Sequence, residues 1–205
     1  MTVPFRIRDE TAADHESIAT VTRAAFAQLA HSSQTEASIV DALRRAGALT
    51  VSLVAEAHGE VAGHVAFSPV RVVLATGDVE GGEVTGWYGL GPLSVSPARQ
   101  RQGVGSALVR AGLARLMSRG ARGCVVLGEP DYYRRFGFRH HPPLVADGLP
   151  ADYFMALSFD GEPARATGTY HPAFFAAELS ASAGGRCPTV PRRRIGPVCS
   201  GRVTS

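Results

Sequence analysis

The sequence predicts an α+β protein built as one domain around a mixed, mostly antiparallel sheet with helices on both faces. Three observations predict it. Apolar residues switch between the two-residue period of a strand, as in residues 51–56, and the helical spacing of Ile18, Val21, Ala25 and Phe26. His58-Gly59-Glu60 separates two apolar runs, residues 51–56 and 61–73, as the turn of a hairpin does. Residues 93–109, LSVSPARQRQGVGSALV, pass from a strand through a glycine-rich turn into a helix.

Residues 5–8 form the first strand, and Asp9-Glu10-Thr11 opens a helix with the stripe Ile18, Val21, Thr22, Ala25 and Phe26. A second helix covers about residues 35–45, with Ile39, Val40 and Leu43 on its apolar face and Gly47 ending it. The hairpin follows, then a polar loop through Gly77, Asp78, Gly81 and Gly82. Pro97, which has no amide donor, ends the strand at residues 93–95, and a helical stripe begins at Val104, Ala107, Leu108 and Ala111. Residues 124–127 suit a buried strand, Pro130 and Asp131 suit the start of a short helix that Gly137 ends, and residues 153–159 form the last strand. From residue 179 onward the chain is rich in Ser, Gly, Pro and Arg and is expected to be disordered, leaving residues 1–178 as the domain.

Gln100-Arg101-Gln102-Gly103-Val104-Gly105 carries the strongest chemical signal. The first turn of a helix has N–H groups without intrahelical acceptors and the positive end of the helix dipole, and glycine lets an anion come close to the backbone. A pyrophosphate satisfies those amides. A dinucleotide-binding turn fits poorly, because G-x-G-x-x-G and an acid about 20 residues further on are both missing.

The turn resembles the signature of the GNAT superfamily of acetyl-CoA-dependent N-acetyltransferases: Gln or Arg, two residues, Gly, one residue, then Gly or Ala. Gln100, Gly103 and Gly105 fill it. The resemblance implies a GNAT-like sheet and acetyl-CoA as co-substrate, with no metal. It implies that the cofactor is bound by Leu93, Ser94 and Val95, pairing with pantetheine like an added strand, and by Gln100, Arg101, Gln102, Gly103, Val104, Gly105 and Ser106. Within that loop, the amides from Arg101 to Ser106 take the pyrophosphate.

A second element, Gly128-Glu129-Pro130-Asp131-Tyr132-Tyr133-Arg134-Arg135-Phe136-Gly137-Phe138, resembles the Tyr-x-x-x-Gly-Phe element near the end of GNAT domains. Tyr133 falls four residues before Gly137 and so takes the position of the family's usual general acid. A phenol, with an ordinary pKa near 10, can protonate the departing thiolate. With Gly168-Thr169-Tyr170-His171-Pro172-Ala173-Phe174, the chain looks more closely like the YhbS-like subgroup of GNAT proteins.

The implied chemistry is direct attack of a neutral amine on the thioester, with a base taking the amine proton and a backbone amide holding the oxyanion. Some family members carry a base carboxylate where this chain has Gly89, and none lies between Trp87 and Ser96. His64, Glu83 and Glu129 are the candidates to replace it. His64 is preferred, since a neutral imidazole suits the task near pH 7; Glu83 sits in a Gly-rich loop, and Glu129 favours a helix start by its charge. Phe67, Trp87 and Tyr88 are candidates to line an apolar acceptor site. A non-catalytic acyl-CoA-binding or sensing module is the alternative reading.

Composition excludes some classes and leaves others open. No apolar run reaches the roughly 18 residues that span a bilayer, and no apolar signal segment follows the first basic residues, which reads as cytoplasmic and not membrane-bound. Cys124, Cys187 and Cys199 have no disulfide or metal spacing, and His140 and His141 read as loop residues flanking a cleft. Five of the 21 basic residues, Arg186, Arg192, Arg193, Arg194 and Arg202, lie beyond Leu179 with no acid among them. The basic balance therefore belongs to the tail, and no nucleic-acid partner is assigned. The expected partner is a small-molecule or peptide amine, with the protein a monomer or homodimer.

Overall fold

A computed structural model describes residues 4–27, 35–76, 79–141, 144–146, 148–161 and 165–175. The strands are β1 (Arg6–Asp9), β2 (Val51–Ala57), β3 (Glu60–Thr76), β4 (Val79–Val95), β5 (Gly123–Leu127), β6 (Leu144–Val145), β7 (Phe154–Ser158) and β8 (Ala166–Tyr170). The helices are α1 (His15–Phe26), α2 (Glu36–Arg45), α3 (Val104–Ser118) and the single turn α4 (Pro130–Tyr133), which continues as a 3₁₀ turn to Phe136. None is long and apolar enough to cross a membrane.

The sheet runs β1-β2-β3-β4-β5-β7. All of those neighbours are antiparallel except β4 and β5, which need the α3 crossover between them. On the edge of β3 away from β4, two shorter strands share its length: β2 pairs with it as far as Phe67, and β8 takes over from Val70 to Leu74, with β6 parallel beyond β8.

Alternation along the strands divides the interior into two cores. Leu53, Val65, Phe67, Leu90, Leu93 and Val95 turn to one face, where Val104, Leu108 and Leu113 of α3 cover them. Gly112 makes this fit, because a Cβ there would enter the Phe67 ring. On the other face Ile39 and Leu43 of α2 pack over Val70, Val72, Trp87, Val125 and Leu127, while Ile18 and Val40 pack on Val54. The expected α+β class, with helices on both faces, is what the chain adopts.

Two expectations are corrected. Gly81 and Gly82 belong to β4, not to a polar loop, because β3 and β4 form one long ribbon in which Val73 and Ala75 pair with Glu83 and Glu80. Gly77 and Asp78 lie outside the described residues. The strand near residues 153–159 is β7 and is not the last; β8 follows it. The tail from residue 179, with Cys187 and Cys199, also lies outside the described residues.

Candidate active site

β4 and β5 pair only from Trp87 to Leu90. Beyond Leu90 two residues of β4, Gly91 and Pro92, stand opposite the single residue Ala66 of β3, a bulge that suits a residue with no ladder donor. Leu93, Ser94 and Val95 then pair with Val65, His64 and Gly63 on one side, and on the other have no strand partner among the described residues. The backbone edge that the sequence assigned to pantetheine is thus open toward the end of β5.

That edge leads into the glycine turn. Arg101 and Gly103 have φ of 61° and 85°, so the chain curls back before α3, and Gly103 is the helix N-cap without any side-chain cap. The first amides of α3 therefore have no side-chain cap. Gln100 does not reach outward: its Nε2 donates to the Val95 carbonyl at 3.2 Å and ties turn to strand, while Gln102 Nε2 donates to the Ala98 carbonyl at 2.9 Å. The two glycines have different physical reasons. A Cβ at Gly103 would meet nothing within 4 Å, so its positive φ is the requirement, whereas a Cβ at Gly105 would lie 2.8 Å from the Tyr132 hydroxyl.

Tyr133 is fully buried at the end of β5, where its ring covers Gly128 so closely that a Cβ there would lie 2.5 Å from Cε2. It packs edge-on against Tyr132 and Phe138, with ring centroids 5.0 and 5.8 Å away. Tyr132 leans the other way, toward the start of α3, with the Arg135 guanidinium 4.8 Å over its ring. Its hydroxyl is buried beside Ser106 without a well-formed hydrogen bond, and burial pushes its pKa up against the opposing effect of Ser106, Arg135 and Arg110. The sequence singled out Tyr133 and gave no signal that Tyr132 reaches the glycine turn; that contact needs the tertiary packing of α4 on α3.

His64 is fully buried on the face covered by α1 and α2, as the β3 partner of Ser94. Its Nε2 lies 2.8 Å from Ser52 Oγ and 3.5 Å from Glu10 Oε2, while Nδ1 has no hydrogen-bond partner. Ser52 Oγ donates to Glu10 Oε2 at 2.6 Å, and Arg44 of α2 grips the same carboxylate at 2.9 and 3.0 Å. Burial lowers the His64 pKa and outweighs the opposing pull of Glu10, so the ring is neutral near pH 7. Burial works against the Glu10 charge, but hydrogen bonds from His64, Arg44 and Ser52 win and hold its carboxyl well below the usual range.

The other candidates separate. Glu83 forms an exposed ion pair with Arg71 at 3.1 Å, and Glu129 caps α4 with its main chain, its carbonyl accepting from the Tyr132 and Tyr133 amides. Phe67 and Trp87 do not form one acceptor wall, because they belong to the cores on opposite faces of the sheet. Gly89, where the strand carboxylate is missing, is covered by the Tyr170 ring: a Cβ there would lie 2.5 Å from Cε1. His140 and His141 do flank a cleft, a cavity of about 380 Å³ floored by Leu144, Leu149 and Phe154. Cys124 is a buried free thiol whose pKa burial raises, the state of an inert apolar filler. Among the described residues no group of three His, Cys, Asp or Glu side chains could hold a metal.

Comparison with known proteins agrees with this geometry. The model of the acetyltransferase (GNAT) family matches residues 15–138. Escherichia coli (strain K12) "Uncharacterized N-acetyltransferase YhbS" is 40% identical over 139 residues, 66% of this chain and 75% of that protein. A GNAT family acetyltransferase from Brucella melitensis, solved in complex with acetyl-CoA, superposes with a TM-score of 0.70 at 49% identity, covering 83% of this chain and 98% of the other. YhbS from Escherichia coli, solved in complex with CoA, gives 0.69 at 32% identity over 85% and 93%. The glycine turn at the start of α3, the parted β4 and β5 and the match across residues 15–138 together make the chain a member of the GNAT acetyltransferase family.

Proposed function

We propose that the protein moves the acetyl group of acetyl-CoA directly to a primary amine of a small-molecule or peptide acceptor. The observation that carries this reading is the uncapped start of α3 lying in line with the open β4 edge at Leu93, Ser94 and Val95. In this reading the amides from Arg101 to Ser106 receive the pyrophosphate and the β4 edge pairs with pantetheine. The relatives from Brucella melitensis and Escherichia coli, solved with acetyl-CoA and CoA, support the choice of ligand.

Catalysis then needs a base on the amine side and an acid on the thiol side. His64 is assigned the amine proton: it is neutral, and its Nδ1 lone pair is not used by the fold. Tyr133 is assigned the thiolate, since its ring stands at the end of β5 beside the parted strands. Tyr132 is the competing assignment for the acid, favoured by its buried hydroxyl beside Ser106 near the glycine turn. The free thiol of Cys124 fits a reducing compartment, and we place the protein in the cytoplasm as a monomer or homodimer.

The test is thiol release from acetyl-CoA with a panel of polyamines, amino acids, peptides and aminoglycosides, run beside a binding measurement. Release that depends on one amine supports the reading. Tight acetyl-CoA binding without release for any amine overturns it in favour of a binding module.

A further inference from the structure

The hydrogen-bond directions around His64 settle which of its nitrogens carries hydrogen. The Glu10 carboxylate can only accept, so the short Ser52 contact at 2.6 Å is a hydroxyl donating to Glu10. Ser52 has one hydrogen, and it is spent there. Toward the imidazole Ser52 offers only lone pairs, and Glu10 Oε2 at 3.5 Å offers another. Nε2 must therefore bear the hydrogen in the neutral ring, which leaves Nδ1 as the bare, basic nitrogen. The opposite tautomer would set two acceptors against Nε2 and bury an N–H at Nδ1 with no acceptor, a cost of about 1–3 kcal/mol.

We propose that Glu10 and Ser52 are positioning residues for His64: they fix the Nε2–H tautomer so that Nδ1 is the atom that takes the amine proton. This rests on His64 being the base. The step balances simply. The amine nitrogen forms its bond to the thioester carbon and gives one proton to Nδ1; the carbon–sulfur bond breaks, and the coenzyme A thiolate leaves as the thiol with a proton from the thiol-side acid, which water restores, while the Nε2 hydrogen stays donated to Ser52. The imidazolium so formed keeps its hydrogen bond to Ser52 and faces the Glu10 carboxylate, and its proton passes to water when product leaves. Arg44 aligns Glu10 from α2 through two nitrogens. The charged and titratable groups around the ring are Glu10 from the segment after β1, Arg44 and Asp41 from α2, and Asp14 and His15 at the start of α1. Of these, Glu10 favours the imidazolium most and Arg44 opposes it.

The experiment reads the tautomer directly and needs no acceptor. Imidazole ¹⁵N NMR of the full chain, with the His64 signals assigned by their loss in His64→Gln, should show a protonated Nε2 and a bare Nδ1. Ser52→Ala should give a mixture of tautomers, and Ser52→Thr, which keeps the hydroxyl, should restore the single form. Glu10→Gln should move the His64 titration about one pH unit lower, a tenfold change in proton affinity. A wild-type His64 carrying its hydrogen on Nδ1, or a spectrum and titration unmoved by Ser52→Ala and Glu10→Gln, overturns the proposal. The acetyl-CoA-induced rise in Tm checks that each variant is folded. His64→Gln with unchanged turnover on the acceptor found by the amine panel would instead sink the base assignment, an outcome separate from the tautomer result.

Discussion

The Tyr132 hydroxyl stands over Gly105 so closely that any side chain at that glycine would collide with it, a Cβ reaching within 2.8 Å. Gly105→Ala should therefore push α4 away from α3 and weaken acetyl-CoA binding about tenfold, in the range of an overpacking cost. Adding Tyr132→Phe removes the colliding atom and should recover most of the loss. A double-mutant cycle on acetyl-CoA affinity measures this coupling, and simple additivity would show that the contact does not matter.

Gly103 tests the phosphate assignment without a packing conflict. Its surroundings are open, so Gly103→Asp and Gly103→Asn should fold alike, each with the strain of a positive φ. Only the aspartate sets a negative charge beside the pyrophosphate. The rise in Tm given by acetyl-CoA should largely vanish in Gly103→Asp and persist in Gly103→Asn. Equal shifts in the two variants would remove the turn from the phosphate site.

Tyr133→Phe keeps a ring that is fully buried against Gly128 and Phe138 and deletes only the hydroxyl. Turnover should fall roughly a hundredfold with acetyl-CoA affinity near wild type, the scale of a lost general acid. A thioester with a better leaving thiol should recover part of the loss. If Tyr132→Phe shows this pattern and Tyr133→Phe does not, the acid is Tyr132.

Gly89 cannot simply be given back the missing strand carboxylate. The Tyr170 ring and Val70 occupy the space a side chain would need, at 2.5 and 3.0 Å from its Cβ. Gly89→Glu should lower stability by about 2 kcal/mol or more, as overpacking does, without raising turnover. Combining it with Tyr170→Ala should restore part of the loss in Tm. A stable single variant would mean that β8 yields easily.

Stability should fall with acidity in two stages. His64 has a lowered pKa in the folded chain, so below about pH 6.5 the unfolded chain takes up a proton that the folded one refuses, and stability declines. Glu10 and Asp14 also have lowered values, Asp14 chiefly through its two hydrogen bonds from Arg8 at 2.7 and 2.8 Å. Their contribution is complete above about pH 4 and is lost as the pH falls further. Thermal unfolding from pH 7 to 3 should show both declines, and His64→Gln should remove the first.

Periodicity made the helices and the hairpin legible, since α1, α2 and α3 bury the stripes built on Ile18, Ile39 and Leu108. β8 was not legible. Of its inward residues only Tyr170 is large, Ala166 and Gly168 being too small to make an apolar run, and its strand character comes from pairing with β3. At the site, the glycine turn and Tyr133 stood out because short local patterns carry them. Glu10 and Ser52 did not, because they meet His64 across a sheet: Ser52 is 12 residues away in sequence and Glu10 reaches Ser52 over 42. Such pairs leave no spacing to read.

The relay of partners along β3 sets an order of events while the chain is being made. β2 and β4 are available soon after β3 leaves the ribosome, but Val70 to Leu74 must wait for Ala166 to Tyr170, nearly a hundred residues later. Until then that stretch is a bare sheet edge able to pair with another nascent chain. A chain stopped before Ala166 would keep the glycine turn and Tyr133 and still be aggregation-prone, so the requirement for the C-terminal strand is one of solubility during synthesis as much as of the finished site.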